Sequence, residues 1–126
     1  MCKNRGFTLI EILIVVVILG ILAAVVIPQF SDASVSAKLS SLKSNLQTIR
    51  SQIQLYKLDF DSSLPTVANF ESVMVPTYLQ KVPNNPFSGG NTIAADTSGD
   101  WQYTEASGLF DAADGGTTDG EVHADL

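Results

Sequence analysis

At 126 residues the chain has room for one small globular domain beyond any membrane segment, and its hydrophobic fraction of 45% is inflated by one apolar stretch near the start. The net charge of −6 is unevenly placed: all seven Lys and Arg lie at or before Lys81, whereas residues 96–126 hold eight acids and no cationic side chain except, when protonated, His123. That distribution argues against nucleic-acid binding, which needs a basic face. It leaves a solvated acidic surface or a site for a hard cation. Cys2 is the only cysteine, so an intrachain disulfide and a Cys/His zinc site are both excluded.

Residues 7–27 read FTLIEILIVVVILGILAAVVI, with Thr8 and Glu11 as the only polar side chains. As a helix this stretch covers roughly 30 Å, the thickness of a bilayer's hydrocarbon core. A carboxylate at that depth costs several kcal/mol unless it is paired, which makes Glu11 a functional candidate. Lys3 and Arg5 precede the run, so the positive-inside rule keeps the N-terminus cytoplasmic and sends the remainder outward. A secretory signal would place its small-residue cleavage site after the run, but here Ile27-Pro28-Gln29-Phe30 follows. Hydropathy alone therefore reads a single-span anchored protein. Gly20 and Pro28 interrupt the helix interior, and Pro28, which lacks an N–H, is expected to kink the helix or mark the water interface.

From residue 31 to 58 the pattern changes. Apolar side chains recur at Val35, Leu39, Leu42, Leu46, Ile49, Ile53 and Tyr56, alternating steps of four and three. This is an amphipathic helix with one narrow apolar stripe. A coiled coil is the competing explanation, but no systematic charge pairing flanks the stripe. Arg50 is expected on an outer face. Residues 7–30 and 31–58 together predict one helix of roughly 75 Å, bent near Pro28.

Residues 59–126 predict a small globular domain. Asp59 to Pro65 ends the helix, residues 81–90 are dense in turn formers, and short strands are expected near 92–94, 101–104 and 109–111, with Ala106-Ser107-Gly108 turning between the last two. The fold class is α+β, a long N-terminal helix packed on a small antiparallel sheet. The expected core is thin: Phe70, Val73, Tyr78, Leu79, Trp101, Tyr103, Leu109 and Phe110 with the helix stripe. A domain this small usually needs a staple.

The run Gly6-Phe7-Thr8-Leu9-Ile10-Glu11, continued by the apolar stretch to Ile27-Pro28-Gln29-Phe30, resembles the N-terminus of type IV pilins and type II secretion pseudopilins. The resemblance implies a six-residue leader (residues 1–6), cut by a prepilin peptidase after Gly6, and methylation of the new N-terminus at Phe7. The apolar helix would leave the membrane to become a filament core, with the segment between Gly20 and Pro28 partly melting on the way. Glu11 of one subunit would then meet the Phe7 amine of a neighbour, a pair that favours one register of assembly because little screens it inside an apolar bundle.

Residues 78–87, Tyr-Leu-Gln-Lys-Val-Pro-Asn-Asn-Pro-Phe, are similar to the segment after the helix in major pseudopilins, which more often carry Asp-Pro-Trp where this chain has Asn85-Pro86-Phe87. The acidic, glycine-rich end also resembles theirs, and that resemblance implies bound calcium in place of a disulfide. Asp111, Asp114, Asp119, Glu121 and Asp125 are the candidate ligands, since calcium takes six to eight oxygens and Gly lets the backbone supply some of them. No EF-hand spacing is present. A flexible acidic tail is the alternative.

The expected function is a structural subunit of a type II secretion pseudopilus, single-pass in the inner membrane with its C-terminal domain periplasmic. Its implied partners are copies of itself, prepilin peptidase, a platform protein, an assembly ATPase and minor pseudopilins. The alternatives are an extracellular type IV pilin and a membrane-anchored binding domain that never assembles. An enzyme is not expected: His123 is the sole histidine, and no nucleophile, phosphate-loop or metalloprotease pattern accompanies it.

Overall fold

The computed structural model describes residues 6–118 and 121–126, so the expectations placed on Cys2, Lys3, Arg5 and Asp119, and on the side chain of Pro28, lie outside the described residues. A single helix, α1 (Leu9–Asp59), accounts for the first half of the chain and includes Gly20 and Pro28 within its bounds. The chain divides into two compact units, Met1–Val35 and Ser36–Leu126.

Over residues 9–27 the helix carries apolar side chains on every face, and the large ones are exposed, from Leu9 at 84% to Val26 at 43%. Among the described residues nothing covers them. A helix that is apolar all round is stable only where lipid or other apolar surface surrounds it.

In the second unit the narrow stripe does what its spacing predicts. Leu39, Leu42, Leu46, Ile49, Ile53 and Tyr56 are buried, while Val35 lies outside the core at 38% exposure. Fully burying such a side chain contributes roughly 1.5–3 kcal/mol, so the stripe is the main force holding helix to domain. The helix stops without a glycine. Asp61 and Ser62 take left-handed φ values of 48° and 70°, a conformation short polar side chains tolerate, and the Ser62 N–H closes on the Lys57 carbonyl at 2.8 Å.

A 3₁₀ turn (Val67–Asn69) capped by Thr66 leads into a short helix, α2 (Phe70–Met74), whose Phe70 and Met74 are fully buried. The sheet follows: β1 (Ile93–Ala94), β2 (Trp101–Thr104) and β3 (Leu109–Ala112), in that order. The β2–β3 pair is antiparallel, with Trp101 opposite Ala112 and Thr104 opposite Leu109. β1, however, runs parallel to β2, Ile93 facing Trp101, so the sheet is mixed rather than purely antiparallel. The return is made by a tight loop instead of a helix. The N–H groups of Asp100 and Trp101 both donate to the Thr92 carbonyl at 2.9 Å, and the Asp100 carboxylate accepts from the Thr92 N–H and hydroxyl. Gly99 permits this approach, because a Cβ there would fall 2.9 Å from the Thr92 carbonyl oxygen.

An aromatic cluster fills the space between sheet and helix: Phe70 lies 4.9 Å from Tyr103 and 5.5 Å from Phe110, and Trp101 lies 5.5 Å from Phe110. Leu109, expected in the core, points outward at 50% exposure, whereas Met74, Val82, Ala112 and Ala113 are buried beyond expectation. The terminal segment is ordered into a second, two-stranded sheet, β4 (Thr117–Thr118) against β5 (Glu121–Val122), and a final 3₁₀ turn (His123–Asp125).

Candidate functional site

Two places in the structure gather the candidate residues. At the start of α1, Thr8 and Glu11 form a reciprocal cap. The Thr8 N–H and hydroxyl each donate to Glu11 Oε2 at 2.7 Å, and the Glu11 N–H donates back to Thr8 Oγ1 at 3.3 Å. This Thr-x-x-Glu arrangement satisfies helix N–H groups that would otherwise be orphaned. It also gives the one carboxylate of an apolar helix two donors of its own. Gly6 and Phe7 precede the cap as exposed chain outside the helix, Phe7 at 83% exposure. The sequence reasoning singled out Glu11 and passed over Thr8; the spacing of three from Thr to Glu was the available signal.

In the terminal loop the four described acids are treated very differently. Asp111 is buried and pairs with Arg50, whose Nη2 lies 2.6 Å from Oδ1. The same guanidinium donates from Nε to the Phe110 carbonyl at 2.9 Å and from Nη1 to the Leu126 backbone oxygen at 2.6 Å. Arg50 is thus half-buried beneath the terminal segment, not on an outer face. Glu121 pairs with Lys43 on the surface, and Asp125 is exposed. Asp114 turns its Oδ2 to His123 Nδ1 at 2.7 Å, and the other ring nitrogen, Nε2, lies 2.9 Å from Thr118 Oγ1.

These positions bear on the expected calcium. Among the described residues, no three His, Cys, Asp or Glu side chains come together as a metal-ligating group. Asp111 and Glu121 are already matched with cationic side chains, and one oxygen of Asp114 is taken by imidazole. Asp114 Oδ1 is buried without a partner, but no two further described acids join it in a ligand group, and calcium takes six to eight oxygens. The described residues do not fit the ion.

The order Thr118–His123–Asp114 repeats the hydroxyl–imidazole–carboxylate sequence of a nucleophilic triad. Its burial makes it a structural element instead. His123 is 1% exposed and Thr118 9% exposed, and the Phe87 ring covers the imidazole with centroids 4.1 Å apart. No substrate can approach such a hydroxyl.

An exposed apolar half-helix with a Thr-Glu cap, followed by an amphipathic half packed on a small mixed sheet, defines the chain as a structural subunit of the type IV pilin-like class. The signature described as the prokaryotic N-terminal methylation motif matches residues 1–27. Relatives along most of the chain make the assignment narrower. The type II secretion system core protein G of Pseudomonas aeruginosa is 39% identical over 98 residues, covering 68% of this chain and 69% of that protein. The protein of the same name from Vibrio cholerae is 34% identical over 106 residues, 82% of this chain and 72% of that protein. The type IV major pilin protein PilA of Myxococcus xanthus is 53% identical over 47 residues, 37% of this chain but only 21% of that protein. No solved structure matches at the significance of these relatives. The chain belongs to the type II secretion system core protein G family, the major pseudopilins.

Proposed function

We propose that this chain is the repeating subunit of a secretion pseudopilus, inserted in the inner membrane by residues 7–27 and polymerised through them. The observation that carries this reading is the pairing of a fully exposed apolar half-helix with one capped carboxylate, Glu11, near its start. Cleavage after Gly6 by a prepilin peptidase frees an amine at Phe7, which methylation leaves cationic. Glu11 of the adjacent subunit then exchanges its Thr8 donors for that cation, and every apolar face of the half-helix is covered by its neighbours. A carboxylate left without its cation inside such a bundle costs several kcal/mol, so misregistered subunits are disfavoured. A platform protein and an assembly ATPase in the same membrane add subunits, minor pseudopilins cap the filament, and the C-terminal domain faces the periplasm.

The extracellular pilin reading draws on the 53% identity to a major pilin, but that likeness is confined to 47 residues. The relatives matched across the C-terminal domain favour the secretion filament. Glu11→Gln tests the proposal. The variant is expected to fractionate with the membrane as the native chain does and to form no filaments; filaments of ordinary length from it would refute the role of Glu11. Mass spectrometry of assembled material is expected to find a methylated chain beginning at Phe7, and one beginning at Met1 would refute the processing.

A further inference from the structure

We propose that the terminal loop of this chain is closed by a buried imidazole, His123, in place of the calcium ion that the resemblance to major pseudopilins implies. The loop is built around that ring. Asp114 enters from one side of the loop, Thr118 from the β4 strand, and His123 from the residue just after β5, so one side chain ties three separated backbone positions together. An ionised carboxylate only accepts hydrogen bonds, so Nδ1 carries the hydrogen toward Asp114 Oδ2, and both ring nitrogens are used. Backbone contacts follow the same geometry: the His123 N–H donates to the Gly116 carbonyl at 2.9 Å. Gly116 itself is dictated by the ring, because a Cβ at that position would lie 2.6 Å from His123 Cε1 and Nδ1.

Two of the other described carboxylates are matched with cationic side chains. Arg50 neutralises Asp111, and Lys43 neutralises Glu121, so neither carboxylate is free to meet a divalent ion without giving up its cation. A cation that took Asp114 Oδ2 would have to displace His123 from it. The imidazole does the ion's mechanical task, cross-linking oxygen ligands on separate strands, without needing an ion.

The test is the thermal melt of the full-length chain in detergent micelles, with excess calcium and with excess chelator. The two melts are expected to coincide. A rise of more than a few degrees with calcium overturns the proposal. His123→Ala is expected to lower the melting temperature by roughly 5–15 °C, the response of a domain this size to the loss of a buried, doubly bonded side chain. An unchanged melt for that variant also overturns it. Should His123→Ala fail to fold, Thr118→Val keeps the shape of the β4 side chain while removing one of the two bonds. It is expected to melt a few degrees lower, equally with and without calcium. No loss in Thr118→Val, or a loss that calcium repairs, counts against the imidazole closure.

Discussion

Arg50 is the strongest single test of how the terminal segment is held. Its guanidinium makes three hydrogen bonds of 2.6–2.9 Å, to the Asp111 carboxylate and the backbone oxygens of Phe110 and Leu126. Arg50→Ala removes all three and leaves Asp111, 9% exposed, as a buried charge without a counterion. Breaking one side of a buried pair costs about 3–5 kcal/mol. The Arg50 side chain is 32% exposed and Asp111 12%, so solvent screening brings the expectation to the low end, about 3 kcal/mol. For a domain of about 90 residues each kcal/mol moves the melting temperature by roughly 4–8 °C, which gives a fall of roughly 12–24 °C. The assay is circular dichroism of the full chain in micelles, following the near-ultraviolet signal of Trp101. Asp111→Asn is expected to rescue part of the loss in a double-mutant cycle, with a coupling of about 1–3 kcal/mol. Arg50→Lys should fall between, because an ammonium cannot make the fork of parallel contacts. A loss below about 1 kcal/mol in Arg50→Ala, or strict additivity with Asp111→Asn, would refute the argument.

Other consequences are as direct. Thr8→Val should fray the first turn of α1, costing about 1 kcal/mol of cap, and hydrogen exchange at the amides of Leu9 to Glu11 should speed up accordingly. Gly99→Ala places a Cβ 2.9 Å from the Thr92 carbonyl oxygen and should cost about 1–3 kcal/mol, read as a lowered melting temperature. Hydrogen bonds from Ser88 and Thr92 hold the Asp100 carboxyl below the usual carboxylate range; its contribution is therefore complete above that range and lost as pH falls through the depressed value. Asp100→Asn should flatten the acid limb of stability against pH. The hydrogen bond to Asp59 pushes the Tyr78 hydroxyl up to about 12, and burial does the same to Tyr103, so both favour the fold below pH 10 and oppose it as pH rises toward 12. Tyrosinate absorbance of Tyr78 and Tyr103 should accordingly rise late and coincide with alkaline unfolding.

What was legible in the sequence follows the range of the interaction behind it. The stripe from Leu39 to Tyr56 was readable because helical periodicity is local, and the structure buries those six side chains. The strands expected at 101–104 and 109–111 were readable because aromatic residues flank a Gly turn, and the second runs one residue further, to Ala112. The parallel setting of β1 was not, since it depends on a carboxylate at Asp100 meeting Thr92 across a loop. Arg50 and His123 escaped for the same reason: on a helical wheel Arg50 is simply polar, and its partners lie 60 to 76 residues away. A lone His among acids reads as tail until the fold places Phe87 against it.

The contrast between the two halves of α1 ties fold to assembly. A stripe confined to one face specifies a partner on one side, and the domain supplies it. The apolar surface of residues 9–27 covers every face, and a single flat partner could cover only part of it. Lipid covers it all, and so does a ring of identical helices, which is why one sequence serves both surroundings. In the filament proposed above, however, a rod apolar on every face packs against identical neighbours at many axial offsets with similar burial. The cap at Thr8 and Glu11 breaks that degeneracy. It keeps the carboxylate satisfied while the helix is alone, and its bonds to a neutral hydroxyl and amide are weaker than those a carboxylate makes with a cation. In the assembly we propose, exchange of Thr8 for a neighbour's charged terminus is downhill only at the one axial offset that brings the two into contact.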